Sequence, residues 1–159
     1  MRRAQVLEVP ALLPYFGPRP AWIRSRRPLS ITVNKGVYRS RDGIVVTVPV
    51  GYVTDLASSP RLLWPVLPPH GQLIIACLPH DWGYSHGGAP GFLPRAWWDA
   101  LFHDLLEITP EVKRWKIPVA YAAVRIGGRG GWKYGWEPFE PQEIPDWPSL
   151  GLNDNRYHL

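Results

Sequence analysis

Along residues 29–55 apolar and polar positions alternate. In LSITVNKGVYRSRDGIVVTVPVGYVTD, Ile31 and Val33 stand between polar neighbours. GIVVTVPV is β-branched, with Asp42-Gly43 in front of it and Gly51 behind. A period of two bounded by turn formers predicts strand, turn, strand, hence a small antiparallel sheet. Pro49 marks the end of the second strand or an edge, because proline brings no N–H to a ladder. The next segment, DLASSPRLLWPVLPPHG, carries Pro60, Pro65, Pro68 and Pro69 and predicts a loop with at most one helical turn.

From Gly71 the period changes. Leu73, Ile74, Cys77 and Leu78 form a stripe at helical spacing, which predicts a helix from Gly71 to about Tyr84. GGAPGFLP breaks it. A second helix is predicted from Pro94 to about Glu107, with Trp97, Trp98, Leu101, Leu105 and Leu106 on its apolar face. Thr109-Pro110-Glu111 has the order of a new start: cap, proline, acid. A third helix is therefore predicted to run to about Ile126, to kink or split at Pro118, and to end at Gly127-Gly128.

Strands first and three helices after them predict an α+β domain: a small N-terminal antiparallel β-sheet with helices packed on or beside it. Residues 1–28, rich in Pro and Arg, and residues 128–159, rich in Gly, Pro and Trp, lack period. They are expected to be extended, an N-terminal arm and a C-terminal tail flanking one domain at 29–127.

A chain of 159 residues fits one domain, and 45% hydrophobic residues suffice for a core. The net charge of +5 permits attraction to nucleic acid, anionic lipid or an acidic partner. Arg2-Arg3, Arg24 with Arg26-Arg27, and Arg125 with Arg129 are short clusters that a solvated surface also explains. No basic run is interleaved with aromatics, so nucleic acid is not indicated. Cys77 is the one cysteine, so no internal disulfide forms, which fits a reducing compartment or a particle assembled in one. After Met1-Arg2-Arg3 the apolar stretch is broken by Glu8, Pro10 and Pro14, unlike a signal peptide. No stretch approaches the roughly 18 apolar residues of a membrane span. The expectation is a soluble protein, or one docked on something.

Candidate chemistry sits in CLPHDWGYSHGG. His80 and Tyr84 are four apart and share one helix face. Asp81 points about 100° away, so one helix aims an imidazole and a carboxylate at neighbouring targets. The second helix offers Asp99, His103 and Asp104, with Phe102 beside them. Two antiparallel helices joined by a short break can set Asp99 against His80. A carboxylate on one imidazole nitrogen fixes the tautomer and leaves the other nitrogen as a base. Asp81 is then free to hold a cation that polarises a carbonyl. The plainer reading is a helix end with favourable dipole contacts, or a structural tie between two helices.

ACLPHDWGYSHGG followed by RAWWDALFHDL resembles the core of the phospholipase A(2) superfamily, in particular its bacterial and fungal branch. The resemblance covers about 30 residues. It implies His80 as general base, Asp81 as calcium ligand, Asp99 as the carboxylate orienting the base, Tyr84 as a supporting hydrogen-bond partner and Phe102 as a packing aromatic. The family's glycine- and cysteine-rich calcium loop is missing, so calcium depends on Asp55, Ser58 and carbonyls near Pro60. A wider likeness covers residues 30 to 130 or so. VPVGYVTDLASSPRLLWPVLPPHG, HDWGY and AVRIGG are similar to an uncharacterised domain family of tailed phages and prophages. It implies a phage-encoded protein, in the virion or the host cytoplasm, with Asp55, Ser58 and Arg61 close to His80 and Asp81.

Two functions follow as expectations. One is a virion, tail or assembly component whose termini bind other phage structural subunits. The other is a hydrolase that cleaves an ester of membrane lipid or cell envelope with a His80–Asp99 dyad and calcium at Asp81. A metal phosphohydrolase lacks a histidine on an earlier helix, since His70 lies in the proline-rich loop. A zinc site of His80, His103 and Asp99 has loose spacing. GGRGGWKYG precedes no helix and is no phosphate loop.

Overall fold

A computed structural model describes residues 3–20, 23, 26–56, 73–86, 93–128, 132 and 139–144. Six short strands come first: β1 (Gln5–Glu8), β2 (Leu12–Tyr15), β3 (Leu29–Thr32), β4 (Gly36–Arg39), β5 (Val45–Val48) and β6 (Val53–Thr54). Three helices follow: α1 (Ile74–His86), α2 (Arg95–Ile108) and α3 (Lys116–Gly127). The fold is α+β, as the order of periods implies.

The strands form two antiparallel sheets, ordered β1-β4-β5 and β2-β3-β6. The alternating segment therefore supplies four strands. Between β3 and β4 the chain leaves one sheet and enters the other. Asn34 pins that crossing: its Nδ2 donates to the Val9 carbonyl at 2.9 Å, and its Oδ1 accepts from the Ala11 N–H. The β4–β5 hairpin turns at Gly43, where φ is 91°, a region open to glycine.

Much of the expected N-terminal arm is extended, and it is part of the sheets. β1 pairs with β4 and β2 with β3, and Ala4 and Tyr15 are buried. Pro14 sits in β2, an edge strand, where a missing N–H is tolerated.

The main core lies between the β1-β4-β5 sheet and the helices. Tyr38, Val46 and Val48 meet Leu78, Trp98, Leu105 and Leu106 there. A smaller cluster of Tyr15, Ile23, Leu29, Ile31 and Val53 covers the other sheet. α2 buries Trp98, Asp99, Leu101, Phe102, Leu105 and Leu106, one continuous stripe at three- and four-residue spacing. α1 packs on it closely at Gly83, where a Cβ would lie 2.2 Å from the Trp98 ring.

The third helix starts later than its sequence predicts. Thr109 does not cap it. The Thr109 hydroxyl donates back to the Leu105 carbonyl at 2.8 Å and so closes α2. Tight turns follow, and α3 begins at Lys116. Pro118 then falls in the first turn, where a missing N–H costs no helical bond, and the helix runs on through it. Of the expected C-terminal tail, Trp132 packs edge-on against Tyr84, and Phe139 against Tyr52 and Trp82. The Gln142 N–H donates to the Gly51 carbonyl at 3.0 Å. These aromatics dock on the chain's own core.

Candidate functional site

Asp99 sits on the buried stripe of α2 and is fully enclosed. An enclosed carboxylate is costly unless several donors meet it. Four groups converge. His80 Nε2 lies 2.9 Å from Oδ1, and the Tyr84 hydroxyl donates to the same oxygen at 2.7 Å. Arg125 donates to Oδ2 at 2.8 Å, and Arg95 Nε stands 3.7 Å from it. The shared face of His80 and Tyr84 thus turns onto Asp99 as their spacing requires. The rings of His80 and Tyr84 lie with centroids 4.3 Å apart at a tilt of 33°, and Phe102 packs 5.1 Å from the imidazole.

The electrostatics fix the protonation state. Burial pushes the His80 pKa below its ordinary value and outweighs the pull of Asp99 in the other direction. Burial acts to raise Asp99, but the hydrogen bonds from His80, Tyr84 and Arg125 together hold it below the ordinary carboxylate value. Burial and the Asp99 charge raise the Tyr84 phenol, which stays a donor. At neutral pH the pair is a neutral imidazole on a carboxylate. Nε2 carries the proton it gives to Asp99, so Nδ1 presents its lone pair. That Nδ1 is buried and has no hydrogen-bond partner among the described residues.

Asp81 turns towards the sheets. Its Oδ2 accepts from the Thr54 hydroxyl at 2.8 Å, and Thr54 Oγ1 accepts the Leu56 N–H at 3.0 Å. Leu56 has a φ of 50°, a left-handed conformation unusual for its type. Asp55 is half-buried on the same turn. Burial first, then the charges of Asp81 and Asp55, push the Tyr52 phenol well up, so both carboxylates act on one neighbourhood. Calcium takes six to eight oxygens. Among the described residues no group of three His, Cys, Asp or Glu ligands includes Asp81 or Asp55, so their two carboxylates do not by themselves make a calcium cage. Ser58 and Arg61 lie outside the described residues.

His103 and Asp104 belong to a second cluster. His103 Nδ1 is 3.3 Å from Asp104 Oδ1, and its ring meets Tyr121 of α3. Arg41, from the β4–β5 turn, reaches Asp104 at 3.1 Å and pairs with Glu107. His103, Asp104 and Glu107 hold ligand atoms within 4.8 Å of one another. Their acids already share the guanidinium.

Three residues around Asp99 and Asp81 are not among those the sequence pattern singles out. Arg95 stands four before Asp99, a readable spacing. Thr54 is the threonine of the GYVTD segment. Arg125 reaches over from another helix, which no local pattern encodes.

Neither the curated proteins nor the solved structures include a match to this chain. A family model does match, over residues 32–124, from the end of β3 to the last turn of α3. It spans His80, Tyr84, Arg95 and Asp99 and stops one residue short of Arg125. With more than half its length matched, the chain belongs to the DUF1353 family, proteins of unknown function.

Proposed function

We propose that the chain is an ester hydrolase with His80 as its general base. The observation that carries this is the tautomer. His80 is neutral, its Nε2–H is spent on Asp99, and its Nδ1 lone pair lacks a partner among the described residues. Nδ1 is buried in this structure, so the step requires its cover to open to water and ester; Nδ1 then takes a proton from water as the water oxygen bonds to the ester carbonyl carbon. It returns that proton to the alkoxide as the ester C–O bond breaks. Asp99 stabilises the transient imidazolium. Tyr84 and Arg125 hold Asp99 in place.

The test is hydrolysis of a lipid ester and of a soluble short-chain ester by wild type, His80→Gln and Asp99→Asn, with and without calcium. His80→Gln should lose at least about 100-fold in kcat/KM, the usual size of a general-base contribution. Equal rates in wild type and His80→Gln at matched folding end this reading.

One observation favours a second reading, a phage particle component in which the same residues only join helices. His80 is 3% exposed and Asp99 fully enclosed, and their partners come from all three helices. Against its expected contacts with neighbouring subunits, β1, β2, Trp132 and Phe139 all bind within the chain. Inert wild type together with co-purification in particles decides for it.

A further inference from the structure

α3 is apolar on two opposite sides. Ile117, Ala120 and Val124 face the core. Trp115, Pro118, Val119, Ala122 and Ile126 recur at three- and four-residue spacing on the opposite side, and all are exposed. Trp115 is 60% exposed, Val119 41% and Ile126 77%. At 100° per residue these five fall within about 100° of arc and run about 16 Å along the axis. A helix apolar on its outer face as well as its inner one has a second surface to satisfy.

The charges around the stripe identify the partner. Lys116 flanks it at roughly 100° from Trp115, its ammonium 5.7 Å from the Trp115 ring centroid, while Arg125 on the other flank is bound to Asp99. Lys113 and Arg114 are exposed in the turn that leads into it. The sequence holds no acid between Glu111 and Glu137. An apolar stripe with a tryptophan at one end and basic residues on its flanks matches an anionic bilayer surface, with apolar side chains among the acyl chains and cations among the headgroups. A second copy of the chain fits less well. The stripe offers on the order of 200 Å² from its length and a helix width, against about 800 Å² per partner in a stable complex. It is also a convex face of one helix that offers no groove to a peptide.

We infer that the outer face of α3 is a docking surface for anionic lipid. Arg125 extends from this helix to Asp99, and the Gly128 position lies against the Tyr84 hydroxyl, so docking would set the bilayer one helix away from the His80 cluster. The inference names a lipid surface as the setting of the hydrolase proposed above, yet it stands or falls without that activity.

Flotation with vesicles tests it. Wild type should float with phosphatidylcholine–phosphatidylglycerol vesicles at a ratio of about 2:1 and much less with phosphatidylcholine alone, and salt should weaken the binding. Val119→Glu/Ile126→Glu changes only exposed positions. It should keep the wild-type melting temperature and lose at least about tenfold in vesicle affinity. His80→Gln should float as wild type does, so failure of the catalytic reading shows separately. Wild type that floats with neither vesicle overturns the inference, as does a folded double variant that floats as well. A wild-type dimer that the double variant dissociates also overturns it, in favour of a second copy.

Discussion

Asp99 and Asp104 stand five residues apart on α2, each with a histidine within reach, and their pKa values move in opposite directions. Asp99 is held below the ordinary carboxylate value although burial acts against it. Asp104 is raised, because burial outweighs what His103 and Arg41 return. The difference is the number and quality of donors. Asp99 receives hydrogen bonds from His80, Tyr84 and Arg125 at 2.7–2.9 Å. Asp104 has His103 at 3.3 Å and shares Arg41 with Glu107. A His–Asp pair in a sequence thus says little until the rest of the shell is counted.

The largest expected effect tests that count. Asp99→Ala leaves two arginines and a histidine around an empty enclosed site and should cost about 3–5 kcal/mol in urea unfolding. Asp104→Ala should cost under about 1 kcal/mol, because the charge it removes is itself desolvated and its partner Arg41 stays exposed to water. Equal costs would break the contrast. The next effect sharpens it. Gly83→Ala pushes α1 away from Trp98 and so strains the His80–Asp99 contact. A loss of about 1–3 kcal/mol is expected, read as a lower denaturation midpoint.

The smallest effects lie in pH dependence. Asp99, lowered in the fold, stabilises above the ordinary carboxylate value of about 4, and that contribution is lost as pH falls through its folded value. Asp104, raised in the fold, acts the other way. Its contribution is present below about 4 and lost as pH rises through its folded value. His80, lowered by burial, makes the fold lose stability as pH drops from about 6.5 towards its folded value. Melting curves from neutral to acid pH should show Asp99→Asn flattening the acid limb and Asp104→Asn steepening it. His80→Gln should flatten the segment just below pH 6.5 or so.

What the sequence discloses follows the range of each interaction. His80 and Tyr84 share a face because helix periodicity is local, and a short break lets Asp99 meet them. Arg125 escapes notice because nothing local says which helix packs beside which. The first two strands hide behind Pro10 and Pro14, which read as an extended but unpaired arm until an edge position excuses Pro14. Thr109 misleads because its hydroxyl has two partners within reach, the turn ahead and the carbonyl behind, and only the packed structure decides between them. Two sheets in place of one arise at Val33-Asn34-Lys35, where the deciding contacts run back to residues 9 and 11.

Asp99 has one further consequence. It is the common partner of His80 and Tyr84 on α1, Arg95 on its own helix and Arg125 on α3. α1 and α3 each lose their bonds to it on swinging out, and α2 cannot swing out without breaking both sets. Opening of α2 is therefore tied to its two neighbours, and amide exchange in α2 should report an opening free energy at least as large as that of α1 or α3.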